Sequence, residues 1–350
     1  MTYRDSNHLK SPISSRDRTA LIKGLWNLQN ALPENARYED GAYLDYYLNQ
    51  CTYAPQHEEH ILVTSRSDMI ELAKEIMNGA SRDQLVRHLS LKYPESGEEM
   101  EVDRDVQINN SIDLAVRLVS MVDIGKPCCR YLSRQPLLWK HGSRQKFIND
   151  HFDKPIELGN NVKLGAFFNG RNLERIGRFR IDWTSNLADH LRCTGDGDKV
   201  VAIFHQATFL KHQESSILPP ELVNETRATL ALLFPQSDRQ TSEWFKKLRS
   251  KTPCLDGQVV QCGALRPDDR RIEKFRFWHD RLVLLKEAFD ETKPSTIPQF
   301  WYDRRNGVQW HTFWVAILVL ILTVVFGVVQ SVEGALQAYK AYYPTVAKAD

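Results

Sequence analysis

The chain of 350 residues lacks a charge excess, since 46 basic residues stand against 44 acidic ones and leave a formal +2. Nucleic-acid binders usually carry a basic surplus on one face, so that partner class is not expected. Low-complexity tracts and internal repeats of fixed period are absent, which excludes a solenoid. The six cysteines form neither paired zinc knuckles nor a dense secreted framework. Reduced thiols in a cytosolic compartment are the expectation. The opening "MTYRDSNHLKSPISSRDRTA" has no apolar core and is not a secretory signal. It reads as a disordered arm over 1–20. There is no phosphate loop, no GxSxG elbow, no GxGxxG and no EF-hand loop. Those absences weigh against an enzyme, although an active site can assemble from distant residues. No cofactor and no metal site is expected.

What is present is mostly helical periodicity. Met69, Ile70, Ala73, Ile76 and Met77 recur at helical spacing after Ser65, and Gly79 supplies a stop. "SRDQ", Ser81 to Gln84, is a capping-box signature for a helix with Leu85, Val86 and Leu89 inward. Ile108, Ile112, Ala115, Val116, Val119 and Val122 mark a further amphipathic helix, and the acidic loop "PESGEEMEVDRD" from Pro94 offers a boundary before it. The middle differs. "FRIDW", Phe179 to Trp183, alternates like a half-buried strand, "GDGD" at Gly195 to Asp198 reads as a turn, and "VVAIF", Val200 to Phe204, reads as a buried strand. Thr184 is placed to cap a short helix through Leu187 and Leu191. A helix follows "LPP" and ends before Pro235. Phe275, Trp278, Leu282, Leu285 and Phe289 are spaced three, four, three, four; that heptad-type seam is too short for a free coiled coil and is read as core packing. The expected fold is mainly α (α+β). A helical cytosolic part carries a small β unit. The expected bounds are 21–160 for a helical N-terminal part, 161–292 for a second part and 293–312 for a juxtamembrane segment, then 313–332 for a membrane span and 333–350 for a tail.

Candidate chemistry is sparse. In "HEEH", His57 to His60, the histidines are three apart, not the four that a zinc-peptidase helix needs, so a polar helix start is the better reading. Asp189 and His190 are neighbours, and adjacent helical positions point about 100° apart, so they do not readily address one substrate. His205 follows the strand "VVAIF" directly. It is the weak catalytic candidate, weighed against a plain hydrogen-bonding role at the strand exit.

The one long apolar run is "FWVAILVLILTVVFGVV", Phe313 to Val329, in a chain whose mean hydropathy is −0.44. Gln330 to Val332 extend the uncharged span to Glu333. Roughly twenty helical residues cover about 30 Å, the hydrocarbon thickness of a bilayer. Phe300, Trp301, Tyr302, Trp310 and Trp314 crowd the near end, and Tyr339, Tyr342 and Tyr343 follow the far end, as aromatic belts do. The segment therefore reads as a single-pass, tail-anchoring helix inserted after synthesis. Lys293, Arg304 and Arg305 precede it, against Lys340 and Lys348 beyond, which places the large part in the cytosol. An endoplasmic-reticulum or other endomembrane address is expected over the mitochondrial outer membrane. Thr323, Gly327, Ser331 and Ala335 repeat every four residues as a small-residue stripe that would let two such helices associate weakly.

In "FWHDRLVLLKEAFDE", in "FWYDRRNGVQWHTFWVAILVLILTVVFGVVQSVEGALQAYKAY", and more weakly in "NLERIGRFRIDWTSNLADHL", "VVAIFH" and "ETRATLALLFPQ", the chain resembles a family of uncharacterised filamentous-fungal proteins. The resemblance implies a membrane-bound protein and transfers no catalytic residue. Two readings of function follow. The first is a membrane-anchored interaction or scaffold module. The second is a membrane-associated enzyme with a site near His205.

Overall fold

A computed structural model describes residues 7–11, 13–26, 28, 40–56, 60–94, 104–125, 137–194, 199–213, 217–294, 296–303 and 307–343. The acidic loop is described only at Pro94, Arg104 and Asp105, and the GDGD turn lies outside these residues. The protein is mainly helical, with thirteen α-helices and one small sheet among the described residues. The chain divides into two compact units, Met1–Glu291 and Thr292–Asp350.

Residues 7–11 and α1 (Ser15–Trp26) are ordered, although 1–20 reads as a disordered arm. The physical reason is a clamp by residues far along the chain. Leu9 is buried and its amide bonds Thr64 O at 2.9 Å, while Arg66 N donates to Asn7 O at 2.7 Å. α1 packs on α3 (Arg66–Met77) at Gly24, where an added Cβ would sit 2.5 Å from Ile70 Cγ2. Ser65 caps α3 and Gly79 stops it in the left-handed region, at φ +88°. Ser81 and Gln84 form the expected capping box at the start of α4 (Arg82–Lys92). α5 (Arg104–Ser120) buries Ile108, Ile112, Ala115, Val116 and Val119. It ends at Ser120, so buried Val122 lies beyond the helix. Two tyrosines of α2 (Gly41–Gln56) cover that end, with Tyr43 Oη donating to Leu118 O at 2.7 Å and Tyr46 Oη to Arg117 O at 3.0 Å. Carbonyls of a last helical turn have no partner within the helix, so these hydroxyls supply one.

The chain then passes α6 (Arg144–Phe152) and α7 (Gly170–Arg175) into the sheet. β1 (Arg180–Thr184) runs parallel to β3 (Val200–Phe204), with Trp183 opposite Ile203. The two-residue β2 (Cys193–Thr194) pairs antiparallel on the other side of β3. β3 is buried throughout, as a continuous apolar strand requires. Between β1 and β2 lies a single 3₁₀ turn, Leu187–Asp189, in place of the longer helix expected from Thr184. Asn186, not Thr184, caps it, and Leu191 has φ +57°, which a continuing helix does not allow. Asn186 Oδ1 also accepts the Asp123 amide at 3.0 Å. One hydrophobic core runs through the unit from Leu9 to Phe289, across the expected division at 160/161.

α8 (Ala207–Lys211), α9 (Pro220–Leu233), α10 (Arg239–Lys251) and α11 (His279–Asp290) close the unit. Phe275, Trp278, Leu282, Leu285 and Phe289 are all buried, although α11 starts only at His279. The α9–α11 junction is held by a chain of directed bonds. Glu225 accepts the amides of Arg276, Phe277 and Trp278 at 2.9, 3.1 and 2.8 Å. Trp278 Nε1 donates to Thr226 Oγ1 at 2.9 Å. His190 joins the same chain. Its Nδ1 accepts Phe204 N at 3.1 Å, so its proton sits on Nε2 and donates to Thr229 Oγ1 at 2.7 Å.

Full burial, helped by the nearby Arg281 charge, pushes the His190 imidazole down from 6.5 to about 3. The neutral ring is the folded form, so its contribution is complete above the unfolded value and is lost as pH falls below it. The difference in unfolding free energy between wild type and His190→Gln is expected to shrink by about 2 kcal/mol from pH 7 to pH 5. Urea titrations at the two pH values measure it, and a pH-independent difference would refute a buried neutral His190.

The second unit holds α12 (Ile297–Tyr302) and α13 (Gly307–Tyr342). α13 is one continuous 36-residue helix, so Glu333–Tyr342, expected in a tail, prolongs the apolar helix. Phe300 stacks on Phe313 at 4.6 Å, and Trp301 meets Trp314 edge-on at 4.5 Å.

Candidate functional site

β1 and β3 are parallel, so their carboxyl ends emerge side by side and deliver Thr184, Ser185 and Asn186 next to His205 and Gln206. Ligand sites in α/β sheets favour such ends. His205 lies where its sequence position implies, directly after β3, with its amide on Thr184 O at 3.2 Å. It is 5% exposed. Its Nε2 is 3.2 Å from Ser185 Oγ, and its Nδ1 accepts the Asp256 amide at 3.4 Å. Gln206 Nε2 donates to both Ser185 Oγ at 3.2 Å and Ala42 O at 3.1 Å.

A serine, a histidine and an aspartate thus meet, but their polarity is not that of a nucleophile and its base. A general base must accept the serine proton on Nε2 while Nδ1–H faces a carboxylate. Here Nδ1 is an acceptor, which leaves the proton on Nε2, and the ring donates to Ser185. The Asp256 carboxylate faces elsewhere. It accepts Thr208 N at 2.5 Å, Thr208 Oγ1 at 2.9 Å and Gln258 N at 2.9 Å, capping the 3₁₀ turn Gly257–Gln261. Burial pushes the Asp256 carboxyl up to about 6 against the pull of those three donors. The arrangement ties two strand exits to the segment after α10. His205→Ala is expected to lower stability by about 1–3 kcal/mol, the cost of leaving buried partners unmatched. Thermal melting checks it, and an unchanged melting temperature would free His205 for another role.

The other sequence candidates separate. The Asp189 carboxylate accepts Asn186 Nδ2 at 2.6 Å, whereas the His190 ring points to Thr229 and Phe204, so the pair shares no target. His57, Glu58 and Glu59 lie outside the described residues; His60 O accepts Asn110 Nδ2 at 3.1 Å. Among the described residues no three His, Cys, Asp or Glu side chains are grouped to hold a metal ion. Cys51 is buried and its thiol is pushed up to about 12 by burial, while Cys193 and Cys254 are exposed and Cys262 is half-buried; all four are free thiols. Cys128 and Cys129 lie outside the described residues. Ser185, Asp256 and Glu225 carry no motif, and only the turn-like "LDGQ" around Asp256 hints at a cap. Set beside known proteins, the chain matches no family model, no curated protein and no solved structure.

Proposed function

We propose that the protein is an interaction or scaffold module held on a membrane by α13, with its large unit on the cytosolic side of the endoplasmic reticulum or another endomembrane. The observation that carries the reading is α13. Over Trp310–Tyr342 it is long and apolar enough to cross a bilayer, and none of its most apolar window is buried. Val315, Leu318, Ile321, Val324, Phe326 and Val329 expose apolar surface around the whole helix, which water disfavours and hydrocarbon accepts. Its hydroxyls are satisfied internally, Thr323 Oγ1 on Val319 O at 2.9 Å and Ser331 Oγ on Gly327 O at 2.8 Å, as a hydrocarbon surrounding demands. Weak self-association through Thr323, Gly327, Ser331 and Ala335 belongs to the same proposal. Among the described residues a Cβ at Gly327 would meet nothing within 4 Å beyond its own helix backbone, so Gly327→Leu acts chiefly on a neighbouring helix. An association reporter giving equal signals for wild type and Gly327→Leu would remove the homo-oligomer.

Orientation rests on Lys293, Arg304 and Arg305 before the span against Lys340 and Lys348 after it. Protease added to intact microsomes is expected to remove the large unit and spare a short fragment containing α13. Two glycosylation sequons, at Asn109 and Asn224, are expected to stay unmodified. An endoglycosidase shift abolished by Asn109→Gln together with Asn224→Gln would put the large unit in the lumen and reverse the topology. The scaffold reading itself is tested by purifying the full chain from membranes in mild detergent. A stoichiometric partner that survives His205→Ala supports it. The rival, a membrane-associated enzyme near His205, rests on the strand-exit position of that residue and requires a substrate turned over by wild type and not by a folded His205→Ala.

A further inference from the structure

Four arginines are buried among the described residues, and three of them are answered by acceptors. Arg66 donates to Ser11 O, and Arg117 Nη1 donates to Ile124 O at 3.3 Å. Arg82 meets Asp113 Oδ1 at 2.6 Å and Asn109 Oδ1 at 2.8 and 3.1 Å. Arg144 is different. It is 4% exposed, its Nε and Nη1 are out of contact with water, and neither has a hydrogen-bond partner. An isolated buried charge costs several kcal/mol unless something neutralises it. Burial alone pushes the Arg144 guanidinium down to about 10.

Two further features of the same short segment have the same chemical sense. Trp139 is 2% exposed and its Nε1–H is also buried without an acceptor. Its ring lies 5.5 Å from the Arg82 guanidinium, and Gly142 O accepts the Arg82 amide at 3.4 Å, so the segment is docked on the start of α4. Arg144 is the first residue of α6, whose nine residues follow the Ser143 cap. Helix side chains lean toward the N-terminus, and the opening amides of a helix face the same way with a positive dipole. Ile124 to Asn149 contain six lysines and arginines and no aspartate or glutamate. The carboxylates that reach the segment are engaged elsewhere, Asp113 on Arg82 and Asp83 at 3.9 Å from His141, and neither pairs with Arg144. A guanidinium, an indole N–H and a helix N-terminus are donors only. A carboxylate offers two oxygens in one plane, whereas a phosphate group offers several in different directions and suits helix N-termini.

We propose that Arg144, Trp139 and the first turn of α6 bind a phosphate group, carried by a soluble phosphate ester or by a lipid headgroup. The test uses the full chain in maltoside micelles, which carry no phosphate, with phosphate-free buffer. Inorganic phosphate, titrated at constant ionic strength, is expected to raise the melting temperature saturably by about 4 °C at a hundredfold excess over Kd. Arg144→Met keeps the aliphatic volume and removes the charge. It is expected to melt higher than wild type without phosphate and to lose the response. Trp139→Phe is expected to fold normally and to raise the half-saturating concentration about fivefold, the value of one hydrogen bond. A second arm compares phosphatidylcholine nanodiscs with and without phosphatidate. An Arg144-dependent rise on glycerol 3-phosphate assigns the soluble source, and a rise confined to phosphatidate nanodiscs assigns the headgroup. Equal shifts in wild type and Arg144→Met, no saturable shift in either arm, or acetate acting as strongly as phosphate would overturn the proposal. If Arg144→Met does not fold, an unchanged half-saturation in Trp139→Phe overturns it instead.

Discussion

If α13 is the anchor, a chain stopped after Asp303 is expected to leave the membrane. Full-length protein is expected in the carbonate-resistant pellet and the shortened chain in the supernatant, with more than nine-tenths of each in its own fraction. About a dozen Val, Leu, Ile and Phe between Phe313 and Val329 supply roughly −4 to −7 kcal/mol on an insertion scale, before Thr323 and Gly327 are set against it. Even the low end is a partition ratio of about a thousandfold. The shortened chain should stay folded, because the buried core ends at Phe289 and residues to Glu291 form a compact unit of their own. Equal melting temperatures in detergent would verify that. A shortened chain that is folded and still pellets would show that α13 is not the anchor.

Trp278→Ala is expected to be the most damaging single substitution in the large unit. Trp278 is 1% exposed and sits edge-on to Phe152 at 5.9 Å and to His190 at 4.9 Å, with the Arg281 guanidinium 5.2 Å from its ring. Emptying such a site costs about 3–5 kcal/mol in lost transfer free energy and unfilled cavity. At about 1.6 °C per kcal/mol for a unit of this size, the melting temperature should fall by about 5–8 °C. Trp278→Phe keeps most of the ring and loses the bond to Thr226, so a fall of about one-third as much is expected. Leu91→Ala, at a side chain 83% exposed, should change almost nothing and serves as the control. A Trp278→Ala protein that melts like wild type would mean that the α9–α11 junction does not carry the unit.

Much of the local structure is legible in the sequence. Ser81 and Gln84 lie three residues apart and satisfy each other's backbone donors, so the capping box needs nothing beyond its own turn. The helix that follows "LPP" occupies Pro220–Leu233, as its proline start and Pro235 stop require. "VVAIF" is a fully buried strand because apolar residues, three of them β-branched, fill it on both faces. The local signal is overridden where a distant residue acts on the same backbone. The polar opening looked unable to fold, yet Thr64 and Arg66 hold residues 7–11 through backbone bonds. Thr184 looked like a helix cap, yet the demand of Asp123 N on Asn186 and the return of the chain into β2 cut the helix to one 3₁₀ turn. The seam from Phe275 to Phe289 kept its inward side although half a heptad precedes the helix, because burial depends on side-chain period and not on an unbroken helix.

The sequence by itself determined the helical class, the two main strands, the principal caps and the uncharged apolar stretch within α13, because each depends on residues within a few positions of one another. Tertiary structure alone decided which polar groups meet. His205 finds Ser185 and the Asp256 amide at 20 and 51 residues' separation, and Glu225 finds the amides before α11 at 51 to 53. It also decided that Arg82 has its carboxylate while Arg144, equally buried, has none. Whether a buried charge is satisfied depends on the three-dimensional register of elements far apart along the chain, and no local period or spacing encodes that register.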